Sequence, residues 1–168
     1  MGNKNKYKEK IIKKTSLLFA ALLSGIAVFA AEMPDFSKAE AWKKSAWSPS
    51  VYTRSTEGVL TVERTQAGSG AWCTVPIAVT PGEKFTGAAD IAYLTQDGRG
   101  CARLGANFIN AKGKRVKFVN IAEVHALNGG FENKKFSFTV PEGATAVSIY
   151  ACIDGKGKAE FRNLTLSK

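Results

Sequence analysis

The residues of this 168-residue chain that could act as acids, bases or nucleophiles are few and scattered. His125 is the only histidine, and the three cysteines, Cys73, Cys101 and Cys152, show no Cys-x-x-Cys spacing of the kind that holds zinc. No Gly-x-Ser-x-Gly turn presents a serine nucleophile. Glycoside hydrolysis needs two carboxyl groups about 5 to 9.5 Å apart across a cleft, and Asp90, Glu63, Glu123 and Asp154 fall on separate runs that force no pair together. Neither catalysis nor a metal centre is expected. What remains is stacking and hydrogen bonding. Trp72 and Tyr150 offer ring faces for stacking, and Thr74, Arg103, Asn107 and Ser148 offer hydrogen-bond donors and acceptors.

Those residues can meet only if strands bring them together. From Gly58 onward, short apolar or alternating runs at 59–64, 71–79, 84–94, 101–110, 115–121, 135–140, 146–154 and 159–166 are separated by turn sequences such as Pro81-Gly82, Asn128-Gly129-Gly130 and Pro141-Glu142-Gly143. No long segment keeps a 3.6-residue period; 37–44 and 121–127 alone could form short helices. The expected fold is all-β, a two-sheet antiparallel sandwich of the jelly-roll kind.

Period-two alternation predicts which side chains face the core. Ala71, Cys73, Val75, Ile77 and Val79 point inward, with Trp72, Thr74 and Pro76 outward. Ala102, Leu104, Ala106 and Phe108 are inward, and so are Val147, Ile149, Ala151 and Ile153, with Phe136, Phe138 and Val140. In a jelly roll of usual strand order, the second, seventh, fourth and fifth runs are neighbours in one sheet. Its outer surface then carries Trp72, Thr74, Arg103, Asn107, Ser148 and Tyr150. The same topology gathers the three cysteines near one end of that sheet. Parity puts Cys101 and Cys152 outward and Cys73 inward, so a Cys101–Cys152 disulfide is the first expectation. A bulge that flips Cys73 would let it pair instead, and a fully reduced set is the other alternative.

The remaining sequence bears on location. The chain has 24 Lys+Arg against 14 Asp+Glu, but residues 1–30 hold six lysines and one glutamate, half of the net +10. Lysines followed by the apolar run 16–31 and the small-residue site Val28-Phe29-Ala30 form the pattern of a signal peptide. At 16 residues the run is shorter than the roughly 20 that cross a bilayer, and an uncleaved anchor is the alternative. The domain boundaries read as 1–30 signal peptide, 31–57 an N-terminal segment packed on the sandwich, and 58–168 the sandwich itself. The mature protein is expected to be secreted, periplasmic or cell-surface, with no membrane contact after cleavage. Its spread charge forms no tract that follows a phosphate backbone, so no nucleic-acid partner is expected.

Several stretches resemble the jelly-roll carbohydrate-binding modules appended to glycoside hydrolases, a galactose-binding-domain-like β-sandwich. They are Gly70-Ala71-Trp72, the run 77–85 with its Pro81-Gly82 turn, the strand and turn 106–113, the pair of runs 136–141 and 146–150, and the closing run 159–166. The resemblance implies a non-catalytic module that binds a polysaccharide or oligosaccharide in the concave groove of one sheet. It also implies company with a separate glycoside hydrolase or an envelope protein. No cofactor is expected: a structural calcium is the family's candidate, and Arg162-Asn163 stands where the family often carries an acidic pair. The rival reading is a structural or protein-interaction sandwich without sugar binding.

Overall fold

A computed structural model describes residues 33–45 and 50–168. The expected signal peptide and Trp47 lie outside the described residues. Among the described residues, nine strands follow one short 3-10 turn, Ala39–Ala41. They are β1 (Trp42–Ser45), β2 (Val51–Arg54), β3 (Leu60–Arg64), β4 (Ser69–Thr74), β5 (Ile77–Ala78), β6 (Lys84–Ile109), β7 (Arg115–Val124), β8 (Glu132–Thr139) and β9 (Ala146–Ser167).

β6 and β9 are long because each serves both layers of the sandwich. They run antiparallel along their whole length, with Thr86 opposite Ser167 at one end and Ile109 opposite Ala146 at the other. Between Asp97 and Cys101 the pairing breaks: those residues face Lys156 and Asp154, so three residues of β6 oppose Gly155 alone. Such bulges bend a strand from one sheet into the next. The corner needs glycine. A Cβ on Gly155 would stand 2.4 Å from the Arg99 carbonyl oxygen and one on Gly157 1.9 Å from that of Thr95, and both residues have positive φ, 88° and 135°.

One sheet therefore runs β2, β3, residues 156–167 of β9, residues 84–97 of β6, then β8. The second runs β1, β4, residues 146–154 of β9, residues 101–109 of β6, then β7, with β5 continuing the line of β4. The neighbours expected for the second sheet are those found. Residues 33–45 and 50–57 supply an edge strand to each sheet, β1 and β2. Of the two expected short helices, 37–44 is a single 3-10 turn leading into β1, and 121–124 is strand.

The core lies between the layers. Ala102, Leu104, Ala106 and Phe108 meet Val147, Ile149, Ala151 and Ile153 from the second sheet, all buried as alternation predicts. The first sheet contributes Phe85, Ile91, Phe136, Phe138 and Phe161. Phe138 stacks on Phe85 with centroids 5.2 Å apart and meets Phe108 edge-on at 5.7 Å. Burying each such side chain contributes about 1.5–3 kcal/mol before chain entropy is set against it.

Alternation fails in β4. Trp72 is 7% exposed and belongs to the core; its Nε1 donates to the Thr61 carbonyl at 3.0 Å, and Tyr52 meets its ring edge-on. Thr74 is wholly buried, and its Oγ1 accepts the Ile149 N–H at 2.9 Å. The cause is an extra residue. From Cys73 to Ile77 is four steps along the chain, while their partners Tyr150 and Val147 are three apart, so a bulge at Val75-Pro76 shifts the parity by one. Ile77 is inward as counted, and every residue before Pro76 is reversed. Trp72 and Thr74 thus leave the outer surface, while Ala71 and Cys73 join it.

Candidate functional site

The outer face of the second sheet is built from alternate residues of five strands. From β9 come Ser148, Tyr150, Cys152 and Asp154, and from β6 Cys101, Arg103, Gly105 and Asn107. β4 adds Ala71 and Cys73, opposite Cys152 and Tyr150, and β1 adds Lys43. β7 lies along the other side of β6, with Glu123 opposite Arg103 and Phe118 opposite Asn107. Of the six residues expected to bind a ligand, Arg103, Asn107, Ser148 and Tyr150 share this face.

Its centre is aromatic. Phe118 and Tyr150, both half-buried, meet edge to face with centroids 6.1 Å apart and planes at 79°. The Phe118 ring lies over Gly105, where a Cβ would stand 2.2 Å from Cζ. A glycine inside a strand marks a close approach of this kind. That was the one signal in the sequence for Phe118, and two bulges in the β6–β7 pairing hid which way β7 faces.

One end of the face holds Asn107 and Arg115. Asn107 is 8% exposed, and its Oδ1 accepts Arg115 Nε at 2.8 Å, while the guanidinium lies 5.8 Å from the Phe118 centroid. At the other end Arg103 pairs with Asp154 at 3.6 Å, and its charge lies near the thiols of Cys101 and Cys152. There an open cleft of about 650 Å³ is lined by Gly68, Arg99, Cys101, His125 and Asp154 among others. His125 is largely exposed, its Nε2 3.0 Å from Glu123 Oε2.

The thiols do not form the expected bond. All three cysteines are free and buried. Cys101 stands opposite Asp154 and Cys152 opposite Arg103, so the two cysteines are diagonal neighbours, offset by two positions. Diagonal Cα atoms in a sheet lie about 7–8 Å apart, beyond the usual disulfide range of about 4.4–6.8 Å. Cys73 is diagonal to Cys152 in the same way across β4. Burial pushes the Cys152 thiol up to about 12, against the opposing charge of Arg103, and raises Cys73 and Cys101 as well. Burial also raises the Tyr150 phenol, with the nearby Cys73 thiol adding to the rise.

The calcium candidate finds no fitting donor set at Arg162-Asn163. Asp90 is the acid there, and N–H donors already engage its carboxylate: Asn133 Nδ2 at 2.9 Å, Asn163 Nδ2 at 2.8 Å and Arg162 Nε at 3.4 Å. The guanidinium of Arg162 stacks 3.8 Å from the Phe131 centroid. A cation, Arg162, thus already neutralises Asp90 at this point.

The two layers, the strand order and the shared strands β6 and β9 define a jelly-roll sandwich. The C-terminal family 22 carbohydrate-binding module of Clostridium thermocellum Xyn10B has this fold, with a TM-score of 0.59 at 12% identity over 82% of this chain and 94% of that one. The N-terminal CBM22-1–GH10 modules of endo-1,4-β-D-xylanase 10B from Clostridium thermocellum, complexed with xylohexaose, match with a TM-score of 0.59 at 12% identity over 77% of this chain. The enzymatically active domain of bacteriophage CBA120 tailspike protein 4 matches with 0.58 at 15% identity over 79%. This chain spans 26% of the former structure and 20% of the latter. At such identities the likeness is one of fold. No protein-family model matches the sequence, and neither does any curated protein.

Proposed function

We propose that the protein is an exported, non-catalytic module that binds a glycan on the outer face of its second sheet. The observation that carries this reading is the Phe118–Tyr150 pair seated on Gly105, beside the Arg115–Asn107 pair. A pyranose presents an apolar C–H face to an aromatic ring and hydroxyls at its rim, which an amide and a guanidinium suit. Xylohexaose bound to a solved two-module protein, one part of which has this fold, supports the choice of ligand class. On the non-catalytic side, Asp154 pairs with Arg103 and Glu123 with His125. A glycoside hydrolase or an envelope protein sharing the same compartment is the proposed companion.

Retention in native gels cast with soluble polysaccharides, backed by calorimetric titration, tests the reading. Wild-type protein should be retarded by at least one glycan, and Tyr150→Ala should lose most of that retardation while its circular dichroism stays unchanged. Absence of retention on every soluble and insoluble glycan would sink the proposal and favour a structural or protein-interaction role. Intact-mass measurement on exported protein tests secretion, with a mature chain expected to begin at or near Ala31.

A further inference from the structure

The β6–β7 hairpin concentrates positive charge at one end of this face. Residues 112–117 contain Lys112, Lys114, Arg115 and Lys117 and no acid. All four are exposed, and none is among the ion pairs formed by the described residues. The hairpin is also rigid. Asn110 Oδ1 accepts the N–H groups of Lys112 and Lys114, each at 3.0 Å, and the Asn110 N–H donates to the Lys114 carbonyl at 2.9 Å. Like charges held this close repel one another, which an anionic ligand would relieve.

Edge protection explains part of this pattern, since lysines on an outer strand such as β7 block strand-to-strand aggregation. It does not explain Arg115. That side chain folds back over the sheet, fixed by the buried Asn107 amide and lying along Phe118, so its terminal N–H groups are presented beside the aromatic pair. A guanidinium held in this way suits a planar carboxylate, which it can bind through two parallel hydrogen bonds. A nucleic acid fits less well. Asp154 and Glu123 stand at the far end of the same face, where a backbone bearing phosphate at every step would meet them.

We propose that Arg115, with Lys112 and Lys114 beside it, forms a subsite for the carboxylate of an acidic sugar, so that the module selects uronate-bearing polysaccharides over neutral ones. This rests on the glycan reading of the face and adds the class of glycan to it.

The test is calorimetric titration of the full chain with polygalacturonate, with the same polymer after chemical reduction of its carboxyl groups, and with double-stranded DNA, in 0.15 M NaCl. A charge-assisted pair should make the acidic polymer bind about ten- to a hundredfold tighter than its reduced counterpart. Arg115→Gln should bring that ratio close to one, and Arg115→Lys, which keeps the charge and loses the fork, should restore only part of it. Comparable affinities for the acidic and reduced polymers would overturn the subsite and leave glycan binding standing. DNA binding as tight as polygalacturonate binding would also overturn it, in favour of unspecific charge attraction. Failure of both polymers and of neutral xylans to bind would instead overturn the glycan reading itself.

Discussion

Replacing Gly105 by alanine should damage binding while leaving stability almost untouched. The new Cβ would lie 2.2 Å from Cζ of Phe118 and 2.9 Å from both of its Cε atoms. Ordinary carbon contacts sit near 3.5–4.0 Å, so the ring must retreat by about 1.5 Å. It has room to do so, because Phe118 is half-buried on an outer face. The backbone does not object, since Gly105 lies in a strand and is not among the glycines with positive φ. Alanine in a strand gains about 0.5–1 kcal/mol over glycine through the unfolded chain. Separating Phe118 from Tyr150 loses about 0.5–1.5 kcal/mol of edge-to-face attraction. The two nearly cancel, and for a domain of this size Tm should move by no more than about 4 °C. Loss of a stacking ring worth about 1 kcal/mol should weaken glycan binding about fivefold. Calorimetry of unfolding and titration with a retained polysaccharide measure both quantities on one sample. Unchanged affinity would remove Phe118 from the site, and a fall in Tm beyond about 10 °C would show that the ring is locked in place.

Trp72→Ala should act on the fold, with a loss of about 3–5 kcal/mol in denaturant unfolding; a stable variant that lost only glycan binding would contradict the core position of the indole. Thr74→Val should cost about 1–3 kcal/mol by leaving the Ile149 N–H without its acceptor, a loss that hydrogen exchange at Ile149 would register. All three thiols should resist a maleimide at pH 7.5 in the native protein and react after unfolding, and a Cys101–Cys152 link in non-reducing peptide maps would refute the two-residue offset. Hydrogen bonds from Asn133, then Asn163 and Arg162, hold the Asp90 carboxyl below its usual value. Its contribution to stability is therefore present above the ordinary aspartate pKa of about 3.9 and lost as pH falls through the lower folded value. Wild-type Tm should drop more between pH 5 and pH 2 than that of Asp90→Asn; parallel curves would refute the bonding.

Where a strand runs unbroken, its own residues declare its facing. Leu104 and Phe108, Ile149 and Ile153, and Phe136 and Phe138 alternate with polar or small residues, and all six are buried as that alternation requires. Turn residues likewise mark the ends of the runs, and together these two local signals are enough to name an antiparallel sandwich, while the neighbours of its second sheet follow from the usual jelly-roll strand order. The outer face of the second sheet was legible in the residues of β6 and β9, Arg103, Asn107, Ser148 and Tyr150, because both strands alternate cleanly there.

Tertiary pairing decided the rest. The extra residue at Val75-Pro76 is visible only when β4 and β5 are counted against β9, and it turned Trp72 and Thr74 inward and Cys73 outward. The stagger of Cys101 against Asp154 follows from the register that pairs Ile109 with Ala146 and runs unshifted to the corner, so two thiols on the same face stand two positions apart. Two further bulges against β6 set the facing of β7 and with it Phe118 and Arg115, which no alternation within β7 revealed. The physical reason is common to all three. Side-chain direction repeats within a strand, and so belongs to local sequence, whereas register and bulges are properties of two strands together and exist only once both have paired.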